Sequence, residues 1–328
     1  MRIALVSTAF EDTPPVGYGG TERVVALLAE GLQDRGHAVT LFASGSSTCR
    51  TELRSWFMVP QRPYDVRRDV VHTAWALHQA RTGYDIVHTH TKVGPFLASL
   101  VSDVPVVHTL HNNARDYVAV PTHPFVALSR FQASIHPGLA VAGVVHNGVN
   151  LDEWPFHPSG GDYLVFLGRF GARRAPHVAI SAARASGVDI VLAGKIEDPT
   201  YFDREVRPHV DGVHVRCVGE LGPERASLLG GALALISPLT IDDPFGLAHI
   251  EALACGTPVL GVRRGALAEL VTPETGVLVD TPEDLARGVP AVRMVDRRAC
   301  RQRAERVFSH HCMVEGYLDI YSSILGRR

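Results

Sequence analysis

Three runs of this sequence bring together residue types suited to an anionic, hydroxyl-bearing ligand. The most informative is Asp242-Asp-Pro-Phe-Gly-Leu-Ala-His-Ile-Glu-Ala-Leu-Ala-Cys-Gly-Thr-Pro258. Pro244 and Gly246 predict a tight turn, a helix over Leu247–Ala254 follows, and Gly256-Thr-Pro258 stops it. Glu251 comes eight positions after Asp243. At about 100° per residue that spacing predicts two carboxylates on one helix face, one at the mouth and one deeper. Backbone N–H groups at the turn suit a phosphate. A helix-capping Asp beside an unrelated Glu is the alternative. The second run, Gly168-Arg-Phe-Gly-Ala-Arg-Arg174, puts Arg169, Arg173 and Arg174 on one loop after a predicted strand. That is the composition of a diphosphate clamp, with a solvated basic loop as the alternative. In the third run, Gly17-Tyr-Gly-Gly-Thr-Glu-Arg23, Gly19 and Gly20 open a helix whose N-terminus favours an anion. Many strand-to-helix turns carry glycine without a ligand.

Fewer signals lie outside these runs. Lys195 follows a predicted strand and suits a second phosphate contact, against a plain exposed residue. His88 and His90 end a predicted strand and suit the acceptor side of a site, against a satisfied or exposed histidine. His310-His311-Cys312 has metal-ligating types, but no partner cluster accompanies it, so a helix is the reading there.

The elements that must position these residues alternate. Short β-branched runs (Ile3–Val6, Val39–Ala43, Ile86–His88, Val104–His108, Val126–Leu128, Val144–His146) alternate with helical stretches such as Thr21–Arg35 and Pro95–Val101. The pattern restarts at Tyr163–Gly168 and continues through His177–Ala185, Ile190–Ala193, Val213–Val218, Ala232–Ile236 and Val259–Val262. This rhythm predicts parallel sheets in an α/β fold. The Gly-, Pro- and Asn-rich stretch from Asn147 to Gly161 predicts a linker, and the chain reads as two doubly wound domains. Ligands of open parallel sheets lie at the carboxyl ends of the strands, so the site is expected in a cleft between the domains.

Composition bounds the function. The 328 residues are 46% hydrophobic and 20% charged, enough for packed cores and too apolar for a disordered chain. A net charge of -2 argues against nucleic acid as the main partner. Of 32 basic residues only Lys92 and Lys195 are lysine, a bias expected of a high-GC genome, with a few arginines holding anions. The five cysteines (Cys49, Cys217, Cys255, Cys300 and Cys312) are odd in number and form no CxxC, so neither a disulfide framework nor a zinc knuckle is expected. No apolar run is long enough to span a bilayer, and a cytoplasmic chain is expected, with peripheral membrane contact along Asp65–Arg81 as a minor alternative.

In this order and spacing the runs resemble family 4 of the retaining glycosyltransferases. The resemblance covers nearly the whole chain. It takes in Gly19-Gly20 with Thr21-Glu-Arg-Val-Val, Arg35-Gly-His-Ala-Val-Thr-Leu-Phe-Ala43 and Tyr84-Asp-Ile-Val-His-Thr-His90. Pro105-Val-Val-His-Thr-Leu-His111, Asn147-Gly-Val149, Gly168-Arg169 and the Pro-Phe-Gly-Leu helix follow, and Phe308-Ser309, Tyr317 and Tyr321 end it.

The resemblance implies the GT-B fold: two facing Rossmann-like domains with an interdomain cleft. The first, an acceptor-binding domain over 1–152, is joined by a terminal helix, about 310–328, that crosses back to it. A nucleotide-sugar domain spans 153–309. It implies a hexosyl-type transferase of the EC 2.4 class that needs no metal or cofactor. The sugar moves from a nucleotide diphosphate, UDP or GDP above all, to a small-molecule, glycan or lipid-linked hydroxyl.

Site roles are implied as well. Glu251 holds the ribose hydroxyls, and Asp243 faces the donor sugar, helped by N–H groups near Phe245, Gly246 and Leu247. Arg169 and Arg174 hold the diphosphate with Gly19 and Gly20. The turn at Gly219 and Glu220 reads the base, and His111 lies near the sugar. The chain departs from the family twice: Asp243 stands for its usual Glu and Arg174 for its usual Lys. Rival readings are a nucleotide-sugar epimerase of the same fold and a non-catalytic nucleotide-sugar binder. A nicotinamide oxidoreductase is disfavoured, because no GxGxxG follows the first strand.

Overall fold

The structure, a computed structural model, describes residues 1–17, 19–101, 103–113 and 123–326. Tyr18 of the first glycine run lies outside them. The chain divides into two compact units, residues 1–148 with 310–328, and 149–309.

The first unit holds a seven-stranded sheet. Its strands are β1 (Arg2–Val6), β2 (Ala38–Phe42), β3 (Glu52–Arg54), β4 (Ile86–Thr89), β5 (Val106–Thr109), β6 (Phe125–Ala127) and β7 (Val141–Val144). They run parallel in the order β3-β2-β1-β4-β5-β6-β7. The central strands β1, β4 and β5 are almost wholly apolar or buried, as a parallel sheet covered on both faces requires. Helices α1 (Gly20–Asp34), α2 (Val66–Gln79), α3 (Gly94–Val101) and α4 (Arg130–Ser134) connect the strands. Asp65 caps α2 by accepting from the Arg67 and Arg68 amides.

The second unit holds six parallel strands: β8 (Tyr163–Leu167), β9 (Asp189–Ala193), β10 (Val215–Gly219), β11 (Ala234–Ser237), β12 (Val259–Val262) and β13 (Gly276–Val279). Their order, β10-β9-β8-β11-β12-β13, reverses direction between β8 and β11. At such a reversal the loops leaving the two neighbouring strands diverge and open a crevice at the carboxyl edge. Its helices are α5 (Pro176–Ser186), α6 (Pro199–Tyr201), α7 (Arg225–Gly230), α8 (Leu247–Ala254), α9 (Leu267–Leu270), α10 (Leu285–Val292) and α11 (Arg297–Val307). Leu164, Phe166, Ile190, Leu192 and Ile236 line a core closed by Ile180, Leu285 and Val289.

The last helix, α12 (His310–Ile324), belongs to the first unit. It lies close against α1: a Cβ on Gly31 would be 2.6 Å from Val314 Cγ2. Tyr317 and Tyr321 of α12 are fully buried. Where Val144–His146 is expected as a strand, the strand is Val141–Val144. It is an edge strand with alternating exposure, so its centre does not coincide with the most apolar residues. None of the helices among the described residues is long and apolar enough to cross a membrane.

Candidate functional site

In the second unit the singled-out residues collect at the carboxyl edge of the sheet. The loop after β8 is anchored by Phe170, which is fully buried and packs on Phe166 and Phe202 with ring centroids 5.8 and 5.3 Å away. The Phe170 amide donates to the Lys195 carbonyl at 2.8 Å, tying this loop to the one after β9. Gly194 in turn donates to the Gly219 carbonyl at 2.7 Å, which adds the loop after β10. Only glycine fits at Gly194, where φ is 141° and a Cβ would lie 1.8 Å from the Gly168 carbonyl oxygen. Three strand-end loops are thereby locked together.

Arg169 and Arg174 are half-buried on the first of these loops, while Arg173, Lys195 and Glu220 are exposed. Arg169 Nη1 donates to the Glu197 carboxylate in a short ion pair. Across the crevice, Arg174 Nη1 donates to Asp243 Oδ2 at 2.5 Å. This bond joins the loop after β8 to the loop after β11, at the point where strand order reverses. The same two loops also meet where Thr240 Oγ1 donates to the Arg173 carbonyl at 3.2 Å.

Asp243 is not on the helix. Gly246, in the left-handed region at φ 103°, is the N-cap of α8, and no side chain caps that end. The eight-residue arithmetic therefore does not place Asp243 on the face of Glu251. The loop places it instead, through the Ala266 amide, which donates to the Asp243 carbonyl at 3.0 Å. The capping-Asp alternative fails for the same reason. Phe245 is buried, and Gly246 and Leu247 are half-buried at the helix start. Glu251 is 3% exposed, with Arg225 Nη1 3.9 Å from its Oε1.

Sequence reasoning missed Arg225 and His249. Arg225 follows a turn with no basic cluster around it, and its guanidinium lies over the Trp154 ring, which is distant in sequence. His249 lies inside the quoted run. Its Nδ1 shares a hydrogen bond with the Gly246 carbonyl at 3.1 Å and its Nε2 with Ser237 Oγ at 2.8 Å. Burial pushes its imidazole down to about 4, so it is neutral and donates from Nδ1. His249 thus pins the turn that precedes α8.

In the first unit, Gly19 is buried as the N-cap of α1, and Gly20 is the first helical residue. Beside them Glu22, also unassigned from sequence, is buried and accepts from Thr8 Oγ1. Burial raises its carboxyl above the usual range. His88 is corrected from an acceptor-side residue to a buried structural one. It is 0% exposed, with Nδ1 2.7 Å from Tyr321 Oη and Nε2 2.7 Å from Thr109 Oγ1, so neither nitrogen is left for a ligand. His90 is also buried, and its Nδ1 is 2.8 Å from Nε2 of His111. His111 is half-buried, and desolvation pushes its imidazole down to about 4. His310 and His311 open α12, as the helical reading expects.

The chain is similar to known proteins over nearly its whole length. The family Glycosyltransferase Family 4 matches residues 18–153, and the family Glycosyl transferases group 1 matches residues 152–304. A glycogen synthase of Mycobacterium tuberculosis is 29% identical over 93% of this chain and 89% of its own. A D-inositol 3-phosphate glycosyltransferase of Xylanimonas cellulosilytica is 27% identical over 100% and 98%. The crystal structure of AviGT4, a glycosyltransferase involved in avilamycin A biosynthesis, superposes with a TM-score of 0.80. It is 26% identical, and the match covers 99% of this chain and 98% of that one.

Proposed function

The chain belongs to glycosyltransferase family 4, acts on a nucleotide sugar, and has two parallel-sheet units of the GT-B type; from that premise we propose that it transfers the sugar with retained anomeric configuration and without a metal ion. The observation that carries this reading is the Arg174–Asp243 bond at the strand-order reversal of the second unit. It puts a cation for the diphosphate and a carboxylate for sugar hydroxyls side by side, where such sheets hold their ligands.

In the proposed reaction the bond from the anomeric carbon to the diphosphate oxygen breaks. A bond from the acceptor oxygen forms on the same face, and the acceptor proton passes to the departing phosphate. The leaving group gains negative charge. Arg169 and Arg174 take it up, with Lys195 as a further contact, Gly19 and Gly20 at the start of α1, and the turn amides near Phe245, Gly246 and Leu247. Glu251 holds the ribose, the turn at Gly219 and Glu220 meets the base, and Asp243 orients the sugar. His111, neutral at physiological pH, supplies a hydrogen bond to a sugar hydroxyl. His90 is reassigned from the acceptor side to a partner of His111. The acceptor is a small-molecule, glycan or lipid-linked hydroxyl.

Calorimetric titration with UDP-, GDP-, ADP- and dTDP-sugars tests the assignment. One donor binds, and Glu251→Gln and Arg169→Ala each weaken it by about tenfold to a hundredfold. NMR of the product then reports the anomeric configuration, and turnover persists in excess EDTA. An inverted product overturns retention, loss of turnover in EDTA overturns the metal-free reading, and acceptor-independent conversion to an epimeric nucleotide sugar overturns transfer altogether.

A further inference from the structure

We propose that His90 is a positioning residue that decides which ring nitrogen of His111 carries the proton, so that His111 meets its ligand as an Nδ1–H donor. The inference rests on the reading above that His111 faces the donor sugar.

Neighbouring strands present the two rings. His90 follows β4, and its amide donates to the Val6 carbonyl at 2.9 Å. His111 follows β5, two residues past its end, and β4 pairs with β5 through Thr89 and His108. Nδ1 of His90 and Nε2 of His111 share one hydrogen bond of 2.8 Å. Nε2 of His90 is buried and has no partner among the described residues.

Two neutral arrangements satisfy the shared bond. In one, His90 donates from Nδ1, which leaves its buried Nε2 as a bare lone pair. In the other, His111 donates from Nε2, and His90 then carries its own proton on Nε2, buried without an acceptor. An orphaned buried N–H is the rarer of the two defects, so the first arrangement is favoured. A doubly protonated His90 is excluded by burial and by the neighbouring histidine rings, which hold its imidazole well below the usual range. His108 repeats the pattern one strand position away: its Nδ1 is 2.6 Å from Thr89 Oγ1 and its buried Nε2 has no partner among the described residues.

His90 is itself held in place. Its ring centroid is 4.1 Å from that of His88, and His88 is fixed between Tyr321 and Thr109. Thr109 also meets Tyr317 Oη at 2.9 Å. The last helix therefore backs the histidine pair through two tyrosines. With Nε2 of His111 occupied as an acceptor, its proton is on Nδ1. At that nitrogen the residue donates a hydrogen bond and cannot serve as a base.

The test reads the tautomer directly, from long-range proton–nitrogen NMR of the full chain with 15N-labelled histidine. His111 is identified by its absence in His111→Ala. Wild type gives an Nδ1–H His111. His90→Asn, whose amide nitrogen offers a donor near the same place, keeps that tautomer and most of the activity. His90→Phe shifts His111 toward the Nε2–H form and lowers kcat by about tenfold or more, while KM for the nucleotide sugar changes little. An Nε2–H His111 in wild type overturns the proposal, as does an unchanged kcat in a His90→Phe protein whose tautomer has shifted. If His90→Phe does not fold, wild type and His90→Asn still decide the tautomer. Full activity in His111→Ala would instead sink the role of His111 at the sugar and leave the tautomer result standing, so the two failures are separable.

Discussion

At the scale of single residues, the bond between Arg174 and Asp243 decides most. The two side chains are 23% and 11% exposed, so removing either one leaves the other charge in a poorly hydrated place. Their losses should then overlap. Arg174→Ala and Asp243→Ala are each expected to lower kcat/KM by about tenfold or more, and the double variant by little more than the worse single one. Additive losses would mean that the two groups act apart. Arg174→Lys keeps the charge but not the fork, and should recover only part of the activity. The residue types of this pair were legible in the sequence because both stand in dense runs. Its geometry was not, because the helix begins only after a left-handed Gly246, three residues past Asp243, which removes Asp243 from helical arithmetic. The fate of His88 was hidden in another way. Its partners, Tyr321 and Thr109, come from a distant helix and a neighbouring strand, and spacing along β4 carries no trace of them.

At the scale of elements, periodicity found the central strands, the edge strand β10 and α8, displaced the edge strand β7, and missed the edges β3 and β13. Strand β3 is three residues with alternating exposure, and β13 follows a loop with no helix signal before it. Edge strands bury one face or less, so their apolar signal is weak. The arginine excess also acquired an element-scale use. Arg297 donates to the carbonyls of His157, Ala232 and Gly230, and Arg301 to those of Trp154 and Ala254. Gly230 and Ala254 end helices, so α11 satisfies carbonyls that have no partner within their own helix. Sequence alone could not tell these arginines from solvated ones. The seam between α1 and α12 supplies a sharper test. A methyl at Gly31 would meet Val314 Cγ2 at 2.6 Å, too close for contact. Gly31→Ala is expected to destabilise the first unit by about 1–3 kcal/mol and to expose α12 to protease. Val314→Ala in the same chain removes the colliding carbon and should restore resistance. Unchanged proteolysis in Gly31→Ala would mean that the helices separate at no cost.

At the scale of the whole molecule, two units with the same strand logic differ in how they hold histidine. The strand rhythm announced both sheets, and the run of motifs announced the family, but burial of imidazoles is a property of three-dimensional packing. In the first unit desolvation holds His72 and His111 at about 4 and His108 at about 3, with His88 and His90 also far below 6.5. In the second unit His249, at about 4, is the group among the described residues shifted in this way. Between such a folded value and the unfolded 6.5, the unfolded chain binds more protons. The stability these neutral rings represent is therefore complete above 6.5 and is lost as pH falls toward 4. Asp69 opposes this trend. Burial raises it from 3.8 to about 6, so its contribution is complete below 3.8 and lost as pH rises through 6. One carboxyl, joined by a smaller rise at Glu22, does not cancel five imidazoles. Acidification from pH 7 to 5 should thus lower the unfolding midpoint of the first unit more than that of the second. The three tryptophans make this measurable: Trp56 and Trp75 lie in the first unit and Trp154 in the second. In Trp154→Phe, tryptophan fluorescence follows the first unit alone, while calorimetry follows both. Equal downward shifts of the two transitions, or a first unit that gains stability in acid, would show that the buried histidines are not neutral in the folded chain.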